Sequence, residues 1–461
     1  MRLENKTFDE LRLGDSAELG RLVTMDDLLA FAATSGNYNP VHLPGFDTDG
    51  DGNPDEVAPG LFLASLISGV LGSILPGPGT LYRTQSLSFL DRAHAGDELI
   101  ARVTVTDLAA TGIVTLRTEV LRPADDTLIV TGEAQVIAPT RKFLAEDVHV
   151  PGLIVQRHRH FEALIARAAP LPALITAVVC PTEDESLRGA LIASDASIIT
   201  PVLIGDATRI RAAADRIGRD IAGFEIIDEP TDTGAALLAC KLVHEGRANA
   251  VMKGHLHTDD LLRALLDKEF GLRTGRRFTH VFVMDVPGEP EPLLVTDAAI
   301  NIAPDLKTKV DITQNAIELA TSLGLPPRAG ILSAVETVNP EIQSSVDAAL
   351  LSKMAERGQI KGGAVDGPLA MDNAVDMGAA RTKGLKGDVA GRANILVVPG
   401  IDAGNMLAKQ LAYISHAEAA GIVLGAKVPV ILNSRSDGSM SRLASCAVAA
   451  IHHFHNAEKK G

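Results

Sequence analysis

From Phe161 onward the chain repeats one unit: a short apolar run, then a longer stretch of helical spacing, then another apolar run. The runs fall at 175–180, 201–204, 248–252, 279–284, 328–332, 395–398 and 429–432, and the helical stretches at 206–217, 233–245, 257–268, 311–323, 340–357 and 403–413. Such alternation restricts the fold to helices packed on a largely parallel sheet, because each sheet face must be covered before the next strand is laid down. The segment 161–461 exceeds one comfortable core, so two lobes are expected.

The first 142 residues follow another rule. Thr24 with Asp27 reads as a capping box that opens a short helix over 24–33. An apolar helix over 61–75 follows, broken at Pro76. Four strand-like runs at 81–91, 98–107, 112–122 and 127–138 then suggest an antiparallel meander, an α+β pattern. Between the two patterns, 143–160 has mixed charge, a Pro-Gly pair and no period, so it is read as a linker.

The net charge of −15 argues against nucleic acid and against anionic membrane as partners, so a phosphate-bearing ligand must meet locally concentrated cations. Cys180, Cys240 and Cys446 are odd in number and far apart, which suits core thiols in a reducing cytoplasm better than a disulfide framework. The polar, acidic start is wrong for a signal peptide, and the longest apolar run is too short to span a bilayer. Neither G-x-G-x-x-G after a first strand nor G-x-x-x-x-G-K-[ST] occurs, so nucleotide binding in the usual manners is unsupported.

The densest chemistry lies in VPVILNSRSDGSMSRL, 428–443, which reads as strand, turn and helix. At such a junction the first helical amides are unpaired donors with partial positive charge. Arg435 adds a planar cation suited to phosphate, Ser434 and Ser436 offer hydroxyls, and Asp437 offers a carboxylate that can take a proton. The same residues also make an ordinary helix cap with a solvated arginine. Lys253 ends a strand in MKGHLH, and His255 with His257 lacks a third metal ligand. Thr258 or Asp259 is expected to cap the next helix. Asp366 is expected in a tight turn after a strand, with Asp372 on the following helix, and Asp402 and Asn405 at another helix start. These loops look gathered at one sheet edge. Asp47, Asp49 and Asp51 alternate as in calcium loops, but the position-twelve glutamate is missing, since Ala58 stands there, so no metal is assigned beyond that local likeness.

The segments PTEDESLRGAL, VMKGHLHT, LLSKMAERGQIKGGAVDGPLAMDNAV, PGIDAGNMLAKQL and GAKVPVILNSRSD, in that order, resemble the phosphate acetyl/butyryl transferase family, its butyryl branch most of all. That resemblance implies an isocitrate-dehydrogenase-like two-lobed α/β fold, a homo-oligomer (dimer or larger) and the reaction acyl-CoA + phosphate ⇌ acyl phosphate + CoA. CoA thioesters and phosphate would be substrates, with no cofactor. Ser434 and Arg435 match the family's Ser-Arg pair. The acetyl branch places a catalytic aspartate where this chain has Ser441, and Asp437 matches the butyryl pattern, which leaves the general base open between Asp437 and another loop carboxylate such as Asp366. Lys253 would be a second phosphate-binding cation, and Asp402 and Asn405 would line the substrate site.

The segment 7–140, and SGNYNPVH in particular, resembles the MaoC-like, R-specific enoyl-CoA hydratase family of the hotdog fold. His42 matches that family's histidine, while Asn37 stands where its aspartate belongs and cannot accept a proton. The expectation is therefore a hotdog domain that binds or hydrates acyl-CoA, fused to a phosphate acyltransferase. The alternatives are an acyl-CoA sensor of the same folds and, further off, an oxidative decarboxylase of the same two-lobed shape.

Overall fold

The computed structural model describes residues 2–146, 155, 157–434 and 437–459. Two compact units divide the chain, Met1–Val155 and Gln156–Gly461.

The first unit comprises β1 (Leu3–Glu4), β2 (Ser16–Leu22), α1 (Met25–Ser35), α2 (Gly60–Ser73), β3 (Leu81–Phe89), β4 (Glu98–Leu108), β5 (Ile113–Arg122), β6 (Thr127–Ile137) and β7 (Leu144–Ala145). Helix α1 starts as its sequence dictates: the Asp27 amide donates to Thr24 Oγ1 at 3.1 Å, and the Thr24 amide donates to the Asp27 carboxylate at 3.0 Å. Gly36, at φ 72°, ends it in the left-handed conformation. Five strands form an antiparallel sheet in the order β2-β4-β5-β6-β3. In β4 every second side chain, Leu99, Ala101, Val103 and Val105, is buried. That face receives α2, which carries no charge and buries Phe62, Leu63, Leu66, Ile67, Val70 and Leu71. Each such side chain contributes about 1.5–3 kcal/mol relative to exposure. A long apolar helix held against an antiparallel sheet is the hotdog arrangement. Strand β2 was not legible in the sequence because only Ala17 and Leu19 of it pack against the core, too short an alternation to mark a strand.

The second unit begins with α3 (Arg159–Ala168), β8 (Leu174–Val179), α4 (Asp184–Asp195), β9 (Ile199–Gly205), α5 (Ala207–Arg216), β10 (Glu225–Asp228), α6 (Asp232–His244), β11 (Ala250–Lys253) and α7 (Thr258–Leu265). It continues through β12 (Thr279–Asp285), β13 (Leu293–Thr296), α8 (Leu306–Ser322), β14 (Arg328–Leu332), α9 (Gln343–Glu356) and β15 (Ala364–Leu369). The last elements are α10 (Met371–Val375), α11 (Met377–Thr382), β16 (Ile395–Val397), α12 (Ile401–Tyr413), β17 (Glu418–Leu424), β18 (Val430–Ile431) and α13 (Ser439–Glu458). No helix among the described residues is long and apolar enough to cross a membrane.

One continuous eleven-stranded sheet runs β10-β9-β8-β11-β18-β17-β12-β13-β16-β14-β15. Its outer blocks are parallel within themselves. Three antiparallel pairings, β18 with β17, β17 with β12 and β12 with β13, separate them. Three reversals leave the blocks pointing in opposite directions, so the loops after β11 and β18 lie at the sheet edge opposite the loops after β15 and β16. The gathering of all these loops at one edge, expected from sequence, is corrected accordingly. Strand β15 also corrects the turn expected at Asp366. It is the outermost strand, where Pro368 costs no ladder bond to a further neighbour, so Asp-Gly-Pro runs extended with a register shift instead of turning.

Candidate functional site

Strands β11 and β18 pair in parallel with Val251 opposite Val430 and Met252 opposite Ile431. Two residues further along each strand, this register delivers Lys253–Gly254 beside Leu432–Asn433 at the carboxyl end of the sheet. The exit of β11 is locked to that of β8: the Gly254 amide donates to Val179 O at 2.8 Å and the His255 amide to Cys180 O at 2.7 Å. Glycine is required, since a Cβ there would lie 2.4 Å from Val179 O. Lys253 is only 4% exposed. A small cavity of about 40 Å³ is lined by Lys253, Gly254, His255, Asn433, Ser434 and Arg442 together with Glu183, Glu185 and Ser186. His257, not Thr258 or Asp259, stands at the N-cap of α7, without a side-chain cap bond.

After β18 the chain turns back on itself. The Ser434 amide donates to the Asp437 carboxylate at 2.7 Å, and Asn433 Nδ2 donates to the same oxygen at 3.3 Å. Burial holds the Asp437 carboxyl above its ordinary range, opposed by those two donors and by the Arg442 charge. A carboxyl so raised is closer to a working general base than a solvated aspartate. Asn433 Nδ2 also donates to Ser445 Oγ at 2.9 Å, which in turn donates to Ser441 O at 2.7 Å. The Ser441 hydroxyl donates to Glu418, at the start of β17. Where the acetyl branch would carry a carboxylate, this chain thus has a serine touching one. Arg435 and Ser436 lie outside the described residues.

Several expected site residues are elsewhere. Asp366 lines a separate cavity with Ser352 and Lys353, its carboxyl raised by burial. Asp402 and Asn405 are exposed on α12, in the oppositely directed block. The cysteines are buried and unpaired, and burial pushes each thiol up to about 12, so none is a nucleophile near neutrality. Sequence reading missed Arg442, Asn433 and Glu418. The available signal was Arg442 itself, a cation in the first turn of a helix, where the dipole disfavours it.

In the first unit, Asn37 and His42 line one cavity of about 580 Å³ whose walls include Phe31, Leu61, Leu63 and Phe89. His42 Nδ1 lies 2.7 Å from Val57 O; a carbonyl only accepts, so Nδ1 carries a proton, and in the neutral ring the lone pair is on Nε2. Asn37 Oδ1 accepts the Asn39 amide at 3.3 Å. The carboxylate oxygens of Asp47, Asp49 and Asp51 lie within 4.8 Å of one another, all exposed, and Asp47 accepts the amides of Gly50 and Gly52 at 2.6 and 2.8 Å.

Residues 232–450 match the family described as phosphate acetyl/butaryl transferase. A phosphate acetyltransferase of Rhizobium meliloti is 53% identical over 293 residues, covering 63% of this chain and 93% of the relative. A phosphate butyryltransferase of Clostridium beijerinckii is 42% identical over 294 residues, 64% of this chain and 97% of the relative. The solved branched-chain phosphotransacylase from Enterococcus faecalis V583 superposes with a TM-score of 0.54 at 32% identity, covering 61% of this chain and 99% of that one. Fold and similarity together define the second unit as an acyltransferase. The chain belongs to the phosphate acetyl/butyryl transferase family.

Proposed function

We propose that the second unit interconverts short-chain acyl-CoA and phosphate with acyl phosphate and CoA at the Lys253–Ser434–Asp437 site. In the direction of acyl-CoA synthesis, the Asp437 carboxylate takes the thiol proton of CoA, the thiolate attacks the acyl carbonyl carbon, and the C–O bond to phosphate breaks. Lys253 and Arg435 hold the departing phosphate, and Ser434 donates to the developing oxyanion. The observation that carries this reading is that the Ser434 amide fixes Asp437 while Ser434 itself lines one small cavity with the buried Lys253. Phosphate-dependent release of free thiol from acetyl-CoA, butyryl-CoA and crotonyl-CoA tests it; absence of release from all three would overturn it.

For the first unit we propose acyl-CoA binding in the cavity of Asn37 and His42, with His42 Nε2 as a base and hydration slow because Asn37 cannot accept a proton. The tautomer of His42 favours this over a purely structural histidine. On this reading, both units handle CoA thioesters.

A further inference from the structure

Arg442 is where the second unit breaks the rules that govern the rest of it. It lies in the first turn of α13, its amide donating to Gly438 O at 3.2 Å, so its charge faces the positive end of the helix dipole. It is also 3% exposed, and burial lowers its proton affinity. Among the described residues no carboxylate oxygen lies within ion-pair distance of it. What it does touch is the turn itself: Nη2 donates to Ser434 O at 3.0 Å and Nε to Asp437 O at 3.2 Å. The stem passes α4 at Gly189, where a Cβ would lie 2.4 Å from Arg442 Cδ. Two helices are thus shaped around a buried cation that a neutral side chain could replace at lower cost, were packing its whole purpose.

Resting on the transferase reading above, we propose that Arg442 is a positioning residue of the transfer site. Its guanidinium ties Ser434 to Asp437 through their carbonyls, so that the hydroxyl and the carboxylate keep one spacing. Its charge, at the wall of the cavity that Lys253 shares, offsets the anion arriving there. Asp437 and Glu185 bear on this cation without closing an ion pair, so a phosphate that enters adds the contact they leave unmade, and this is the step at which its cost is recovered.

The test uses the full chain with Arg442→Met, Arg442→Lys and Gly189→Ala, comparing kcat, both KM values and the thermal midpoint with wild type. Arg442→Met should lower kcat about thirtyfold or more, the scale of a lost charged hydrogen bond, with KM for acyl-CoA within about threefold. Arg442→Lys should recover most of that loss, since it restores the charge and one carbonyl contact. A Met variant within about threefold of wild-type kcat overturns the proposal, and so does a Lys variant as slow as the Met variant at an unchanged midpoint. Should Arg442→Met fail to fold, Gly189→Ala decides, because it keeps the arginine but crowds its stem: reduced kcat with normal acyl-CoA KM supports the clamp, and normal kcat overturns it. Hydrogen exchange at the Ser434 amide separates this inference from the transferase reading. An inactive wild type refutes the reading, whereas unchanged protection in Arg442→Met refutes the clamp.

Discussion

The backbone amide of Ser434 donates to the carboxylate of Asp437 at 2.7 Å, between β18 and α13, which holds a hydroxyl and a half-buried carboxyl on one short segment. The proposed base is thereby tied to Ser434, and several measurable consequences follow from its burial.

Asp437→Asn removes the proposed base and should lower kcat by about 10²–10⁴-fold. Because burial raises the Asp437 carboxyl, the acid limb of the wild-type pH–rate profile should lie above the ordinary carboxylate range and should vanish in the variant. Stability carries the opposite sign. The folded state binds this proton more tightly than the unfolded state, so the contribution is fully present below the unfolded value and is lost as pH rises through the folded one. Asp437→Asn should therefore be as stable as wild type at about pH 3 and more stable at about pH 8, measured as thermal midpoints.

Lys253→Met keeps the stem of a buried side chain and removes its charge. We expect KM for phosphate to rise about tenfold or more while KM for acyl-CoA changes little, the pattern of a lost charge-assisted contact to one substrate. Initial rates across a phosphate series would show it, and equal changes in both constants would contradict the assignment.

Asn37→Asp places a proton acceptor at position 37, in the cavity that His42 also lines. Hydration of crotonyl-CoA, followed as loss of the enoyl absorbance, should rise by about 10²-fold over wild type. His42→Ala in the same background should abolish the gain. No gain from Asn37→Asp would show that the first unit only binds its thioester.

Gly254→Ala places a methyl 2.4 Å from Val179 O in a crossing held by two backbone hydrogen bonds. Neither strand can yield without breaking the β8–β11 pairing, so a loss of about 1–3 kcal/mol is expected from overpacking. Urea denaturation measures it, and an unchanged midpoint would mean the exit of β11 is looser than its hydrogen bonds imply.

Local chemistry was enough for much of this protein. Thr24 and Asp27 announced a capping box because both halves of it lie within four residues. The alternation in β4 and β5 and the uncharged run of α2 announced an antiparallel sheet with one apolar helix, since burial on one face imposes a period that a single strand already displays. Ser434 and Asp437 were visible at a strand–helix junction for the same reason. What tertiary structure decided was which loops meet. Three antiparallel pairings in mid-sheet turn the second parallel block around, which separates Asp366, Asp402 and Asn405 from Lys253 and Ser434 although all leave similar strands. Strand β15 read as a turn because an edge position, unknown to the residues themselves, is what makes its proline acceptable. Arg442 packs its stem on Gly189 and Glu418 meets Ser441, contacts with segments distant in the chain that no local pattern announces. Periodicity is a property of neighbours in sequence, whereas register, strand direction and the burial of a charge depend on partners that only folding brings together.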